Sequence, residues 1–475
     1  MNVALPQRRT FQRPTPQRTE SAFGADEIFF STTDERGIIR SGNKVFARVS
    51  GYSRAELIGT PHNLIRHPDM PRAVFRLLWS EIGAGRPIAA YVKNMAKTGA
   101  YYWVLATVVP CEGGYLSVRI KPSTAFFEVV QTVYQDLLAL EAQVEAGEPK
   151  RREEAMLAAT ERLGEHLNAA GFANYEAFMR TALLAEVKDR EARHAAPAET
   201  RQGRAGSDAY FGAVGPRRML AAAEEIERYL QLLVGRIDEY TALNEELGRK
   251  VQFALDLGDD VKLFALNALL AAARLSGDGA ALGAVAGLIQ AQSDASAPLF
   301  ESLTGAVMGA ADRLGTVLLP VAIARLQAES ISVFIRELLD GDVDRHDAAE
   351  DLGVLTACLS AEVAHIDAAL VELDAQFGAV TRHVGTLKQT LGFMRALELN
   401  GRIEASRAAG AQDVVTLFHT IAERLAAANT QLDELVQASR FSFGKEILEA
   451  RRSRKNLNLI RETVASVDST LPAIA

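Results

Sequence analysis

The sequence is poor in cysteine, with only Cys111 and Cys358 among 475 residues. So few thiols exclude a disulfide-stapled scaffold and a four-cysteine zinc site, and they fit a reducing compartment. Basic residues are also few, with 52 Lys and Arg against 60 Asp and Glu. The resulting net charge of −8 argues against nucleic acid as the main partner, because phosphate binding requires a basic surface.

Long apolar runs are missing as well. The longest stretches, such as 316–324, fall short of the ~18–20 residues that a membrane span needs. Residues 1–19 are rich in Arg, Gln and Pro, and no apolar segment follows them as in a secretory signal. We therefore expect a cytoplasmic protein with no transmembrane segment.

Catalytic motifs are likewise absent from the sequence. It contains no P-loop, no GxGxxG, no HExxH and no Ser/His/Asp signature. His365, His383 and His419 are scattered on predicted helical faces, without the sequence context of a phosphoacceptor module. We expect a protein that is not an enzyme and has no metal site.

Composition divides the chain into zones. Residues 25–123 alternate short β-rich runs with turns, and a helical block at 43–83 separates the second run from the third, which predicts an α+β domain. Helical patterns follow at 124–194, and 195–216 has the composition of a linker. Residues 217–475 are almost entirely helical, and residues 1–24 form an N-terminal leader.

The helical zone contains an internal repeat. Apolar residues follow a four-three heptad spacing from Ile226 and again from Leu352, which predicts coiled-coil seams. Each series ends in a Leu-Asn sequence, and Asn267 and Asn400 lie 133 positions apart, a whole number of heptads. We predict two tandem hairpins, 217–340 and 346–473, that form a long antiparallel four-helix coiled-coil bundle of ~60-residue helices. Kinks are expected at Pro298 and Pro320.

The ends of both series resemble the hairpin tip of bacterial chemoreceptors, the methyl-accepting chemotaxis proteins. The resemblance implies that the tips contact a coupling protein, a histidine kinase or other receptors. The sequence departs from the family pattern: Glu404 has Ala271 as its counterpart, the conserved stretch after the turn is absent, and no methylation-type Gln/Glu pairs are evident. The residues that match the tip are Asn267, Arg274, Asn400, Glu404 and Arg407.

The first domain resembles the PAS domain of bacterial aerotaxis receptors. The similarity is carried by Val49-Ser50-Gly51-Tyr52, by the string Arg66-His67-Pro68-Asp69-Met70-Pro71, by Lys93-Asn94 and by Tyr102-Trp103-Val104, in family order. It implies a five-stranded antiparallel sheet with helices, and a homodimer through this domain or the connector helices is compatible with it.

The resemblance also implies non-covalently bound FAD. Arg66, His67 and Asp69 are then the residues tied to FAD retention, and Trp79 and Asn94 line the pocket. Haem with His62 or His67 as axial ligand is the alternative cofactor. A light-driven cysteinyl adduct is not expected, because His62 stands near the position of the reactive cysteine.

Two functions follow from these patterns. The first is a cytoplasmic redox or oxygen sensor for energy taxis, in which a PAS-bound flavin biases a chemoreceptor-like output. The second is an interaction scaffold, or a haem-type gas sensor, with the same architecture.

Overall fold

The computed structural model describes residues 13–194, 215–273, 279–341, 345–407, 412–439 and 443–469. These residues fall into two compact units. The first comprises described residues of Met1–Gly235, Leu318–His365 and Glu449–Ala475, and the second comprises those of Arg236–Val317 and Ile366–Leu448.

A five-stranded antiparallel sheet forms the N-terminal part of the first unit. Its strands are β1 (Ile28–Asp34), β2 (Ile39–Gly42), β3 (Ile88–Met95), β4 (Tyr101–Cys111) and β5 (Gly114–Ile120). They are ordered β2-β1-β5-β4-β3, and the two chain neighbours β4 and β5 pair through a tight hairpin. Residues 17–21 of the predicted leader hydrogen-bond to the start of β4 and to Gly99. The five strands confirm the predicted sheet.

Three short helices connect β2 to β3: α1 (Lys44–Ser50), α2 (Arg54–Leu57) and α3 (Arg72–Gly83), with a 3₁₀ turn at His62–Ile65. Asn43 caps α1, because its side chain accepts a hydrogen bond from the Phe46 backbone. Ser53 is the N-cap residue of α2, and its backbone N–H donates to Glu56.

Three connector helices pack near the sheet: α4 (Ala125–Glu145), α5 (Arg152–Ala169) and α6 (Tyr175–His194). The fully buried Glu186 of α6 accepts hydrogen bonds from Tyr91 on β3 and from the backbone N–H groups of Ser123 and Thr124. Glu141 of α4 accepts from the backbone of Arg72 and Ala73. Each carboxylate satisfies N–H groups at the start of a helix, and so fixes the junctions of the sheet domain with its connector.

Six helices follow: α7 (Gly215–Gly235), α8 (Ile237–Ala273), α9 (Gly279–Leu339), α10 (Arg345–Arg407), α11 (Gln412–Ser439) and α12 (Gly444–Ser469). Two of the four predicted long helices are thus interrupted, at Arg236 and after Ser439. Helix α9 is continuous through Pro298 and Pro320, and the kinks expected there stay a prediction. Phe443, just before α12, is buried against Tyr240 and Phe377, with ring centroids 5.8 and 5.7 Å away.

The predicted heptad positions of α10 are all buried. From Leu355 through Leu373 to Met394, every apolar residue of the series is at most 2% exposed. The heptad spacing therefore predicted the inner face of this helix correctly. The predicted turns at Gly277 and Gly410 and around Asp342 lie outside the described residues.

Two helical segments are long and apolar enough to cross a membrane by length and composition alone, Ala280–Leu339 and Ala348–Arg407. Their most apolar windows reach a mean hydropathy of 1.5 and 1.6. Of the two windows, 94% and 56% are buried within the protein, and the core helix of a soluble protein has the same length and composition.

Within the first unit, the sheet packs on α9 and α10. The rings of Phe30 on β1 and Phe334 on α9 meet edge to face at 5.2 Å, and both are fully buried. Glu337 accepts hydrogen bonds from the Asn43 side chain and the Lys44 backbone, at 3.2 and 3.1 Å. The strand that borders the candidate site is therefore in direct contact with a long helix.

Candidate functional site

A cavity of about 220 Å³ lies between the sheet and the short helices. Its walls are mostly apolar, and strands β3, β4 and β5 contribute one side while α3 and the 3₁₀ turn contribute the other. Of the five residues predicted to hold a cofactor, Arg66, Trp79 and Asn94 line it. The other lining residues used below are Arg36, Gly37, His62, Phe75, Tyr115, Ser117 and Arg119.

Two polar side chains in the cavity wall each carry an atom that has no hydrogen-bond partner among the described residues. Asn94 on β3 is 3% exposed, and Ser117 on β5 is 6% exposed. Within the described part of the chain, neither the Asn94 Nδ2 nor the Ser117 Oγ has a partner. An unpaired buried polar group is costly, so its presence at two points of one cavity indicates a polar ligand.

Arg119 on β5 is a buried cation beside the same cavity. It donates hydrogen bonds to the Ser31 hydroxyl at 2.9 Å and to the His62 Nε2 at 2.7 Å. Its guanidinium also lies over the rings of Phe29 and Phe46, at 5.5 and 5.6 Å. Burial lowers the pKa of Arg119 to about 10, so it remains charged at neutral pH.

The cavity is electrostatically one-sided. Arg36, Arg66 and Arg119 line it, and no Asp or Glu does among the residues that the structure describes. The Arg66 guanidinium stacks on Phe75 at 3.9 Å and donates to the Met70 carbonyl at 3.2 Å, and burial lowers its pKa to about 10 as well. Three arginines, with no carboxylate among the described residues of the wall, favour an anionic or carbonyl-rich ligand.

Trp79 lies at the rim of the cavity. The side chain is 44% exposed, and its ring meets Tyr115 edge to face at 5.8 Å. Gly37 has a positive φ of 75° in the β1–β2 turn, and a Cβ there would lie 2.9 Å from the Trp79 ring. Glycine at this position permits both the turn and the close approach of the indole.

His67 and Asp69 do not line the cavity. His67 is buried, and its Nδ1 accepts a hydrogen bond from the Asp69 backbone at 3.1 Å. Asp69 is exposed and its carboxylate pairs with Lys93 at 2.7 Å. The two residues position each other beside the Arg66 backbone, which bridges to Asn94. Their predicted part in FAD retention stays a prediction.

His62, the alternative haem ligand, is engaged with Arg119. Because a guanidinium only donates, the His62 Nε2 accepts this hydrogen bond and its lone pair is occupied. Burial and the charge of Arg119 hold the pKa of His62 well below its usual value. The neutral imidazole stacks on Phe46 with the ring centroids 6.2 Å apart. This arrangement does not favour His62 as an axial ligand of haem.

Sequence reasoning missed Arg119 and Ser117. Both stand on β5 two residues apart, so strand alternation places them on the same face. Tyr115, Ser117 and Arg119 alternate along β5 with three apolar residues, and this shared face was the available signal. No group of three or more metal-ligating side chains occurs in the described ranges.

A sequence profile of the PAS fold matches residues 40–115. The N-terminal domain is a PAS domain. Residues of this region are 42% identical over 119 positions to the aerotaxis receptor of Escherichia coli (strain K12), covering 24% of each chain. The nitrogen fixation regulatory protein of Klebsiella pneumoniae is 29% identical over 83 residues, 18% of this chain and 17% of that protein.

The chain thus spans about a quarter or less of the length of these curated relatives. Among solved structures, a fungal LOV domain photoreceptor is 20% identical to this chain. It matches 24% of this chain and 84% of its own, with a TM-score of 0.18. The residues that the family model matches lie within the sheet domain.

The predicted partner-binding residues lie in the second unit. Asn267 and Asn400 are exposed, and Glu404 pairs with the exposed Arg407 at 2.9 Å. Arg274 lies outside the described residues. The repeat offset of 133 also relates two pairs of exposed apolar residues that the sequence analysis did not single out: Leu266 with Leu399, and Leu270 with Ile403.

Proposed function

We propose that the protein is a cytoplasmic redox or oxygen sensor whose PAS domain binds FAD and biases a chemoreceptor-like helical output. The cavity is the observation that supports a bound cofactor. Arg66 and Arg119 lie in its wall, and none of the described residues that line it is acidic. Asn94 and Ser117 each carry a polar atom without a hydrogen-bond partner. The flavin ring has two apolar faces and a polar edge of carbonyl and ring-nitrogen groups, which matches these walls. The choice of FAD follows from the aerotaxis-receptor resemblance.

The cavity residues have different roles in binding the flavin. Asn94 and Ser117 form hydrogen bonds with the polar edge of the ring. These bonds give a partner to the buried polar atom that each side chain leaves unpaired. Arg119 stabilises negative charge in the cavity, because it is held there by Ser31 and His62 without a carboxylate. Arg66 contributes a second cation and Trp79 covers the rim. When bound, the flavin supplies reversible electron uptake.

Arg119 also connects the cavity to the long helices. Its partner Ser31 is adjacent on β1 to Phe30, which faces the opposite side of the strand and packs on Phe334 of α9. A change of charge in the cavity can alter the Arg119–Ser31 hydrogen bond. Strand β1, which contains Ser31, is in direct contact with α9 through Phe30, so the change can reach that helix. A ligand shifts an output only by interacting differently with two states, and this contact offers such a difference.

A second route runs through the connector. We predict from sequence that Asn94 responds at the ring edge and that β4 and β5 pass the change to the helix starting near Thr124. Glu186 holds this junction through Tyr91, Ser123 and Thr124. The two routes are separable, because Ser31 and Glu186 lie on different elements.

The output surface is proposed to be the apolar residues around the two Asn positions. Leu266, Leu270, Leu399 and Ile403 are each 42–54% exposed, although large apolar side chains are usually covered. Their repetition at the 133-residue offset supports a partner surface that both hairpins share. The proposed partners are a chemotaxis-type coupling protein, a histidine kinase or other receptors, and we propose no enzymatic activity for the chain itself.

The cofactor is tested by the absorbance of the purified protein. A flavin spectrum that bleaches on reduction, with FAD released on denaturation, is expected. A Soret band would indicate haem, and a colourless protein that takes up no added flavin would indicate a scaffold without ligand. Arg66→Ala should lower the flavin content, whereas Arg86→Ala, an exposed arginine paired with Glu81, should not.

The output is tested by binding of a purified coupling protein. Leu270→Ser with Ile403→Ser should weaken binding, and Val371→Ser, a 45% exposed valine elsewhere on α10, should leave it unchanged. Spin labels at Asn267 and Asn400 should lie within ~30 Å, given helix neighbours at ~10 Å spacing. A much longer distance would contradict the single-chain tip.

A further inference from the structure

The chain's two cysteines lie together in the first unit. Cys111 ends β4 of the PAS domain and is partly exposed, whereas Cys358 is in α10 and buried. Each thiol is the largest influence on the pKa of the other, which requires that the two side chains lie close together. The packing of the sheet on α10 therefore brings together two cysteines that are far apart in the sequence.

The surrounding side chains place the same two segments side by side. A small cavity of about 40 Å³ is lined by Cys111 and by Asp351 and Val354 of α10. Val354 stands one helical turn before Cys358, so both lie on one face of the helix. Arg54 of α2 reaches the Asp351 carboxylate at 3.6 Å. The contact between the cysteines is thus part of a continuous interface.

The two thiols are chemically unequal. The hydrogen bond from Cys358 lowers the pKa of Cys111, and the nearby Arg40 acts in the same direction. The pKa of Cys358 is raised, first by its hydrogen bond to Cys111 and then by burial. Since the thiolate is the nucleophile, Cys111 is the sulfur that reacts first, and it is also the one that solvent reaches.

We propose that Cys111 and Cys358 form a reversible intramolecular disulfide when the protein meets hydrogen peroxide. The Cys111 thiolate attacks one peroxide oxygen, the O–O bond breaks, and a sulfenic acid and hydroxide form. The Cys358 sulfur then attacks the Cys111 sulfur, and the S–O bond breaks. The leaving oxygen and the first hydroxide take up the two thiol protons as two waters. The thiols lose two electrons and the peroxide gains them.

Such a bond would tie the PAS sheet to α10 without involving the flavin cavity. It gives the protein a second redox input, and a dithiol reductant reverses it by thiol–disulfide exchange. Formation of this disulfide does not depend on whether a flavin is bound.

The test is peptide mapping of the full-length protein after brief hydrogen peroxide treatment, with free thiols alkylated and no reductant present. A linked pair of peptides that contain Cys111 and Cys358, lost after dithiothreitol, is expected. A sulfenic acid at Cys111 that accumulates while Cys358 remains alkylatable would overturn the proposal, as would a Cys111–Cys111 link between two chains.

A matched control moves the second thiol by one position. Cys358→Ser combined with Ala357→Cys keeps two cysteines but turns the new one to the exposed face. Because proximity is lost, intramolecular disulfide formation should be slower by about 100-fold or more. Equal rates in both proteins would mean that the observed contact does not direct the reaction.

Discussion

The inner face of α10 and the inner face of the PAS sheet are both buried, yet they are built differently. The seam of α10 from Ile366 to Leu391 is apolar throughout. The cavity face of the sheet holds Asn94, Ser117 and Arg119, two of which have unpartnered atoms within the described structure. A seam without polar atoms serves packing alone, whereas a face that tolerates unsatisfied groups gives up stability for binding.

The largest effect on stability is expected from shortening a buried side chain in the α10 seam. Leu373→Ala should lower the free energy of unfolding by about 2–5 kcal/mol, because it leaves a cavity at a fully buried position. Val371→Ala, at a 45% exposed position of the same helix, should change it by less than about 0.5 kcal/mol. Urea unfolding followed by circular dichroism gives both values. Similar losses in the two variants would contradict the seam assignment.

A substitution in the cavity wall is expected to reduce ligand binding without reducing stability. Arg119→Met replaces a buried cation with an apolar chain of similar length, so the stability of the flavin-free protein should be retained or raised. Flavin affinity should fall by at least about 30-fold, because a buried charge–ligand contact is lost. Fluorescence titration and thermal unfolding measure the two quantities. A loss of stability with unchanged affinity would make Arg119 an ordinary core residue.

His62, in the 3₁₀ turn on the other side of the cavity, should make stability depend on pH. The pKa of His62 is held well below 6.5, so below that pH the unfolded chain binds a proton that the folded protein does not. The free energy of unfolding should therefore decrease as pH falls from 6.5, by at most about 1.4 kcal/mol per pH unit for one proton.

His62→Asn should reduce this slope without abolishing it, since burial and Lys93 also lower the pKa of His67. Urea midpoints between pH 7.5 and 5.0 provide the measurement. A slope that His62→Asn leaves intact would assign the acid sensitivity to other groups.

The smallest effect sharpens the contrast. Ser117→Ala removes an unpartnered buried hydroxyl, so the flavin-free protein should gain about 1 kcal/mol of stability. Flavin affinity should drop a few-fold. Thr107→Ala is the control, because the Thr107 hydroxyl is buried on β4 but donates to the Val118 carbonyl, and its loss should destabilise. Destabilisation by both variants would show that Ser117 is satisfied in solution.

The repeat offers a view of how the two hairpins diverged. A Cβ on Gly401 would collide with the Phe418 ring, so glycine is required where the phenylalanine packs. The 133-residue offset maps Gly401 onto Ala268 and Phe418 onto Val285. The second hairpin thus pairs the smaller Gly401 with the larger Phe418, where the first hairpin has Ala268 and Val285.

The sequence by itself determined the strands, the heptad face of α10 and three cavity residues, Arg66, Trp79 and Asn94. These features are local or periodic: alternation and heptads depend on neighbours in the chain, and the PAS motif holds its residues in a fixed order. The breaks in the long helices were not evident, because Phe443 packs on rings from two other helices.

Only the tertiary structure decided which polar groups face one another. It placed Arg119 and Ser117 in the cavity wall, kept His67 and Asp69 outside it, and brought Cys111 to Cys358. Each of these outcomes depends on the pairing of β5 with distant strands or on the packing of the sheet against helices from the other end of the chain. Such contacts have no spacing rule in the sequence, because they are set by which surfaces bury the most apolar area together.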